Sequence, residues 1–196
     1  MISHDLKCIF IHIPKCAGSS INNHLKLHSL GFSGHSPASS HSEYIKDYFS
    51  FTFVRNPYDR VASAYKYFQG LRSGHRWYQR NKIISDQATL MSFHEFVNHI
   101  PDFMELMQKE EGSFRSGLHF QPFSYFLDDD IDYIGKFENI QLDYYNIRKA
   151  LNLDIRKLPT TNTSDNKNYK DLYDRHSRDT VHNLYKDDII KFSYNF

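Results

Sequence analysis

Two short segments of the chain place cations and hydroxyls where they can hold anions. The first is Pro14-Lys15-Cys16-Ala17-Gly18-Ser19-Ser20, a run of small residues between an apolar stretch and an amphipathic one. A turn of small residues opening a helix presents N–H groups that lack intrahelical partners, together with the positive end of the helix dipole. Such a turn holds a phosphate-like anion. The Ser19 and Ser20 hydroxyls add donors, and Lys15 can reach over the bound group and neutralise it. The order differs from GxxxxGK[ST], because the lysine precedes the glycine. Taken alone, the segment also fits an ordinary βα turn with a surface lysine.

The second segment is Arg55-Asn56-Pro57 and the helix that follows it. Arg55 closes a strand-like run, and ligands of open α/β sheets bind at the C-terminal ends of strands. Ser63 falls two turns into the helix, on one face with Arg60. An arginine and a hydroxyl converging there suit a second phosphate, gripped in fork geometry. Arg55 alone also fits an ion pair with Asp59.

The elements that must position these residues are legible around them. Lys7–Ile13 (KCIFIHI) is an apolar run closed by Pro14, the pattern of a strand buried on both faces. A helix with Ile21 and Leu25 on one face should follow and end near Gly31. Gly31–Ser42 is a Gly/Ser/Pro-rich loop. Tyr48–Val54 (YFSFTFV) is a second strand. Asn56 as N-cap, Pro57 at the first helical position and Asp59 in the first turn start the next helix. Helical pieces are expected at Ser92–Ile100 and Pro101–Lys109, with a break at Gly112–Gly117. A third strand is expected at Ile131–Phe137, a helix from Glu138 to Leu151, and a short fourth strand at Asp154–Leu158. Pro159–Asn168 is loop by composition, and Ser177–Lys191 is amphipathic. Strands alternating with helices define an α/β domain with a mainly parallel central sheet flanked by helices. The whole chain, 1–196, is read as one domain, with 70–130 as a helical insertion or lid.

With 40% hydrophobic and 24% charged residues, the composition excludes wholesale disorder. Lys plus Arg number 24 against 23 Asp plus Glu, a formal charge of +1, so no nucleic-acid partner is expected. Cys8 and Cys16 make no disulfide framework. No apolar stretch approaches the roughly 20 residues of a membrane span, and no signal peptide is visible. A cytoplasmic protein without a membrane partner is therefore expected. Twelve histidines invite a metal reading, but His94 and His99 are five apart rather than four. His24 and His28 have the i, i+4 spacing and no accompanying Asp, Glu or Cys nearby. No metal is expected, and His12 should pack beside the sheet.

HIPKCAGSS followed by FTFVRNPYDRVASAY resembles the two signature segments of the carbohydrate sulfotransferases of the heparan sulfate 2-O-sulfotransferase and chondroitin sulfotransferase type. DYIGKFENIQLDYYNI, LPTTNTS and NLYKDDIIKFSYNF are similar to later parts of that family, with the likeness weakest between Gly70 and Asp130. The resemblance implies a fold related to P-loop nucleotide kinases and 3′-phosphoadenosine 5′-phosphosulfate (PAPS) as co-substrate. It assigns Lys15, Cys16, Ala17, Gly18, Ser19 and Ser20 to the 5′-phosphosulfate, and Arg55 and Ser63 to the 3′-phosphate.

The implied reaction moves the sulfuryl group to a hydroxyl acceptor, a saccharide first of all. Lys15 stabilises the departing nucleotide. His35, in GFSGHSPASS, is similar to the family's basic histidine, and His41 is its rival. The Arg72, His75, Arg76, Trp77, Tyr78, Arg80 and Lys82 cluster fits either an acceptor rim, with Trp77 stacking on a sugar, or a solvated surface. Lys167 is similar to the family's basic loop, while Lys136 and Glu138 fit an internal ion pair equally well. Asn162-Thr163-Ser164 is a glycosylation sequon only if the chain is secreted. Other classes stay open: a nucleotide kinase-like phosphotransferase, or a non-catalytic nucleotide- or glycan-binding module.

Overall fold

A computed structural model describes residues 1–27, 34–109, 116–128, 130–159 and 168–196. In chain order the elements are β1 (Ile2–Ser3), β2 (Cys8–Ile11), α1 (Gly18–Leu25), β3 (Phe49–Val54), α2 (Pro57–Gly70), α3 (Tyr78–Leu90), α4 (Phe93–Asn98), α5 (Ile100–Lys109), α6 (Phe123–Phe126), β4 (Tyr133–Lys136), α7 (Ile140–Ala150), α8 (Arg175–Leu184) and α9 (Lys186–Lys191). Two compact units emerge: Met1–Arg55 with Phe123–Thr163, and Asn56–Pro122 with Ser164–Phe196.

The first unit is built on a four-stranded sheet of order β1-β2-β3-β4. Strands β2, β3 and β4 run parallel, and only the two-residue β1 is antiparallel. All four residues of β2 are buried, as its unbroken apolar run predicts. Phe10 stacks on Phe51 with centroids 5.1 Å apart. Thr52, buried in the central strand, donates from Oγ1 to the Ile11 carbonyl at 2.7 Å, so its hydroxyl is satisfied inside the sheet. At the opposite end of β3, Asp132 Oδ2 accepts from the N–H and hydroxyl of Ser50 at 2.7 and 2.8 Å, while Asp132 N–H donates to Ser50 Oγ. That clasp pins the register of β4.

The second unit is helical and aromatic. Asn56 caps α2 by accepting from Tyr58 N–H at 3.1 Å, with Pro57 in the first turn. Phe68, Phe96, Phe103 and Phe120 interlock at centroid distances of 5.4 to 5.7 Å. A reciprocal Ser92–Glu95 capping box opens α4. The described residues between Gly70 and Asp130 carry helices and no strand, and the stretch is shared between the two units.

Two expectations need correction. The helix after the lysine turn ends at Leu25, with Lys26 in left-handed backbone, while Gly31 lies outside the described residues. Asp154–Leu158 is not a strand. The Gln141 side chain accepts from Leu158 N–H at 3.1 Å and donates to Leu158 O at 2.9 Å, taking the bonds a neighbouring strand would make. Helix α3 lies inside the stretch expected to be a helical insertion, and its buried stripe, Asn81, Ile84, Ser85 and Ala88, is half polar.

Candidate active site

Strand β2 runs into a tight turn whose backbone is unusual for its sequence. Lys15 and Ala17 both take left-handed φ, 67° and 64°, without being glycine. Single residues held this way cost of order 1–3 kcal/mol and persist where the surroundings dictate them. Ala17 is the N-cap of α1 and offers no side-chain cap. Its carbonyl accepts from Ser20 N–H at 3.0 Å and Ile21 N–H at 3.3 Å, so the amides of Gly18 and Ser19 precede the first intrahelical bonds. Cys16 is buried, its Sγ donating to Pro14 O at 3.6 Å. Ser20 is buried and Ser19 exposed.

Gly18 is required here for space rather than for φ. A β-carbon on it would stand 1.8 Å from Cδ2 and Nε2 of His12. The His12 ring lies over Phe10, centroids 5.5 Å apart and planes nearly parallel, and 4.1 Å from the ring of His35. His12 thus packs beside the sheet, as expected, and its wedge against the turn is what the glycine permits.

Arg55 leaves the end of β3 and is only 8% exposed. Its Nη1 donates to the Lys15 carbonyl at 2.9 Å, and its Cζ sits 4.0 Å from the centroid of the Phe137 ring, just past β4. Burial, and then the charge of Arg55, push the Lys15 ammonium down from 10.5 to about 8. Two cations thus share the C-terminal edge of β2 and β3 and repel one another. That is the electrostatic condition of a site for a multivalent anion.

His35 is half-buried, and its Nδ1 lies 2.8 Å from the His12 carbonyl oxygen. A carbonyl only accepts, so the neutral ring carries its proton on Nδ1 and keeps the lone pair on Nε2. His41, the rival, is 1% exposed, and burial with the nearby N-terminal amine lowers it to about 4. Its ring is not presented to an incoming hydroxyl.

Ser63 belongs to the second unit, half-buried in the second turn of α2. Arg60 is buried in that unit, donating from Nη2 to the carbonyls of His119 and Gln121 at 3.2 and 2.7 Å. Arg76 and Arg80 lie over Trp77 at 4.4 and 5.4 Å, so the indole is in contact with the chain's own guanidinium groups. Lys82 pairs with Asp86. His24 bonds the Tyr144 hydroxyl, and His94 faces Asp174 at 3.6 Å. His28, Lys167 and Asn162-Thr163-Ser164 lie outside the described residues. Among the described residues no three His, Cys, Asp or Glu side chains gather as a metal site, and no helix is long and apolar enough to cross a membrane.

The turn that opens α1 and the arginine at the next strand's tip lie side by side, an arrangement suited to an anionic ligand. The sequence profile of the Sulfotransferase family matches residues 1–195, and the chain belongs to that family. No curated protein and no solved structure matches it. Sequence reasoning missed Phe137 and His12 as parts of the site. The signal for His12 was the glycine at Gly18, which a helix start does not otherwise demand.

Proposed function

We propose that this protein is a PAPS-dependent sulfotransferase of P-loop-like architecture that sulfates a hydroxyl on a carbohydrate. The observation that carries this reading is the Lys15–Arg55 pair, two cations held at adjacent strand tips by a 2.9 Å bond. PAPS is a fitting ligand because it carries two separated anionic groups, and a phosphate monoester alone contributes about −1.5 to −2 near neutral pH. Lys15 and the amides of the 15–20 turn take the phosphosulfate end. Arg55 takes the 3′-phosphate.

The donor supplies an activated sulfuryl group. By analogy with phosphoryl transfer, its transfer is loose and in line. Lys15 and the turn amides meet the charge that grows on the departing phosphate oxygen. Nε2 of His35 accepts the acceptor's hydroxyl proton as the new O–S bond forms. Such a base contributes about 10²–10⁴ in rate.

Thermal shifts with 3′,5′-ADP, 5′-AMP and ATP with magnesium test the donor assignment. 3′,5′-ADP should stabilise most, and equal stabilisation by 5′-AMP would remove the role given to Arg55. Transfer of labelled sulfate from PAPS to a glycan panel should fall about 10²-fold or more in Lys15→Ala and His35→Ala.

A further inference from the structure

We propose that His12 is the positioning residue for His35 and ties the orientation of that ring to the donor-binding turn. This rests on the reading of His35 as the base. Three contacts carry it. The His12 carbonyl receives His35 Nδ1 at 2.8 Å, which leaves Nε2 as the only nitrogen able to take a proton. The His12 ring forms the floor beneath His35, with centroids 4.1 Å apart and planes tilted by 48°. The same ring is seated between Phe10, stacked at 5.5 Å, and the bare α-carbon of Gly18, the first residue of α1.

One residue at the end of β2 therefore contacts the base through its main chain and its ring, and contacts the donor turn through the ring's far edge. His35 cannot rotate about its bond to the carbonyl without meeting a ring that is fixed against the start of α1. The base is thereby oriented by the element that holds the donor, which is the relation an in-line transfer requires.

The test reads the imidazoles directly, by long-range proton–nitrogen NMR on the full chain with ¹⁵N-labelled histidine and no ligand. His35 should show a single neutral form protonated on Nδ1 in the native protein. In His12→Ala the ring loses its floor and both tautomers become populated. His12→Phe keeps carbonyl and ring and restores the single form. On the same samples, turnover of PAPS should fall about ten- to a hundredfold in His12→Ala, through kcat with little change in KM for PAPS, and recover in His12→Phe.

A native His35 protonated on Nε2, or an unchanged tautomer in His12→Ala, overturns the proposal. If His12→Ala does not fold, the native spectrum and His12→Phe decide alone. A native protein that fails to bind 3′,5′-ADP sinks the sulfotransferase reading instead, while the tautomer still reports whether His12 orients His35.

Discussion

The Arg55 guanidinium is bonded to the main chain of Lys15, so the tip of β3 is tied to the turn that follows β2. Phe137 supports the guanidinium from the β4 side at 4.0 Å. Three parallel strands therefore converge on one cation, which touches the backbone of one and the ring beyond another. Holding two positive groups together without a ligand is unfavourable, and Lys15 bears that cost.

Under the proposed assignment, the depressed Lys15 should make affinity for the nucleotide pH-dependent. Free, the ammonium titrates at about 8 rather than 10.5, and a bound polyanion favours its charged form. Affinity for 3′,5′-ADP should therefore fall as pH rises above 8, with proton uptake on binding near that pH. Calorimetry in buffers of different ionisation enthalpy measures the uptake. The ligand-free protein responds in the opposite sense. The unfolded chain holds the Lys15 proton up to 10.5 and the folded one only to 8, so the stability penalty is full below 8 and relieved as pH rises through that window. Lys15→Met should accordingly stabilise the ligand-free protein at pH 7 by about 1–3 kcal/mol, an advantage that shrinks toward pH 10.

Arg55→Lys keeps the charge and loses both the fork and the planar face that lies on Phe137. The affinity of 3′,5′-ADP should drop about tenfold or more, that of 5′-AMP far less. Titration calorimetry of both nucleotides gives the ratio, and an equal loss for the two would show that Arg55 does not discriminate the second phosphate.

Strands β2 and β3 were readable because buried parallel strands write themselves as unbroken apolar runs. The start of α2 was readable because Asn56, Pro57 and Asp59 each answer a different need of a helix N-terminus. Helix α3 was obscured because Asn81 and Ser85 occupy its buried stripe. Asp154–Leu158 was misread because the backbone of Leu158 bonds to the side chain of Gln141 and the Asp154 carbonyl to Arg148, pairings with no local signature. In the site, the approach of Lys15 to Arg55 follows from where parallel strands end. The left-handed φ at Lys15 and Ala17 does not, since sequence would place glycine there. The tautomer of His35 depends on a main-chain carbonyl, which no residue type announces.

Asn56 has work beyond capping α2. Its Nδ2 donates to the Asn195 carbonyl at 2.7 Å and to the Tyr169 hydroxyl at 3.3 Å, binding the end of the described chain to the helix start. Asn56→Ala removes the cap and leaves those acceptors short of a donor. It should destabilise the protein by about 2 kcal/mol, at the upper end for a cap. Asn56→Asp, which keeps the cap alone, should recover only part of that, as urea denaturation would show.

Gly18→Ala tests the wedge of His12 against the donor turn. The new methyl would enter the His12 ring at 1.8 Å, and that ring cannot retreat freely between Phe10 and His35. Overpacking of this kind costs about 1–3 kcal/mol, and here it also shifts the residue proposed to orient His35. In a His12→Ala background the space is open, so adding Gly18→Ala should cost little more, since an alanine fits a helix better than a glycine there. The double-mutant cycle from urea midpoints should therefore give a coupling of about 1–3 kcal/mol between the two sites. Additive effects would mean that the glycine is needed for something other than the imidazole, and the contact between base, ring and turn would lose its energetic basis.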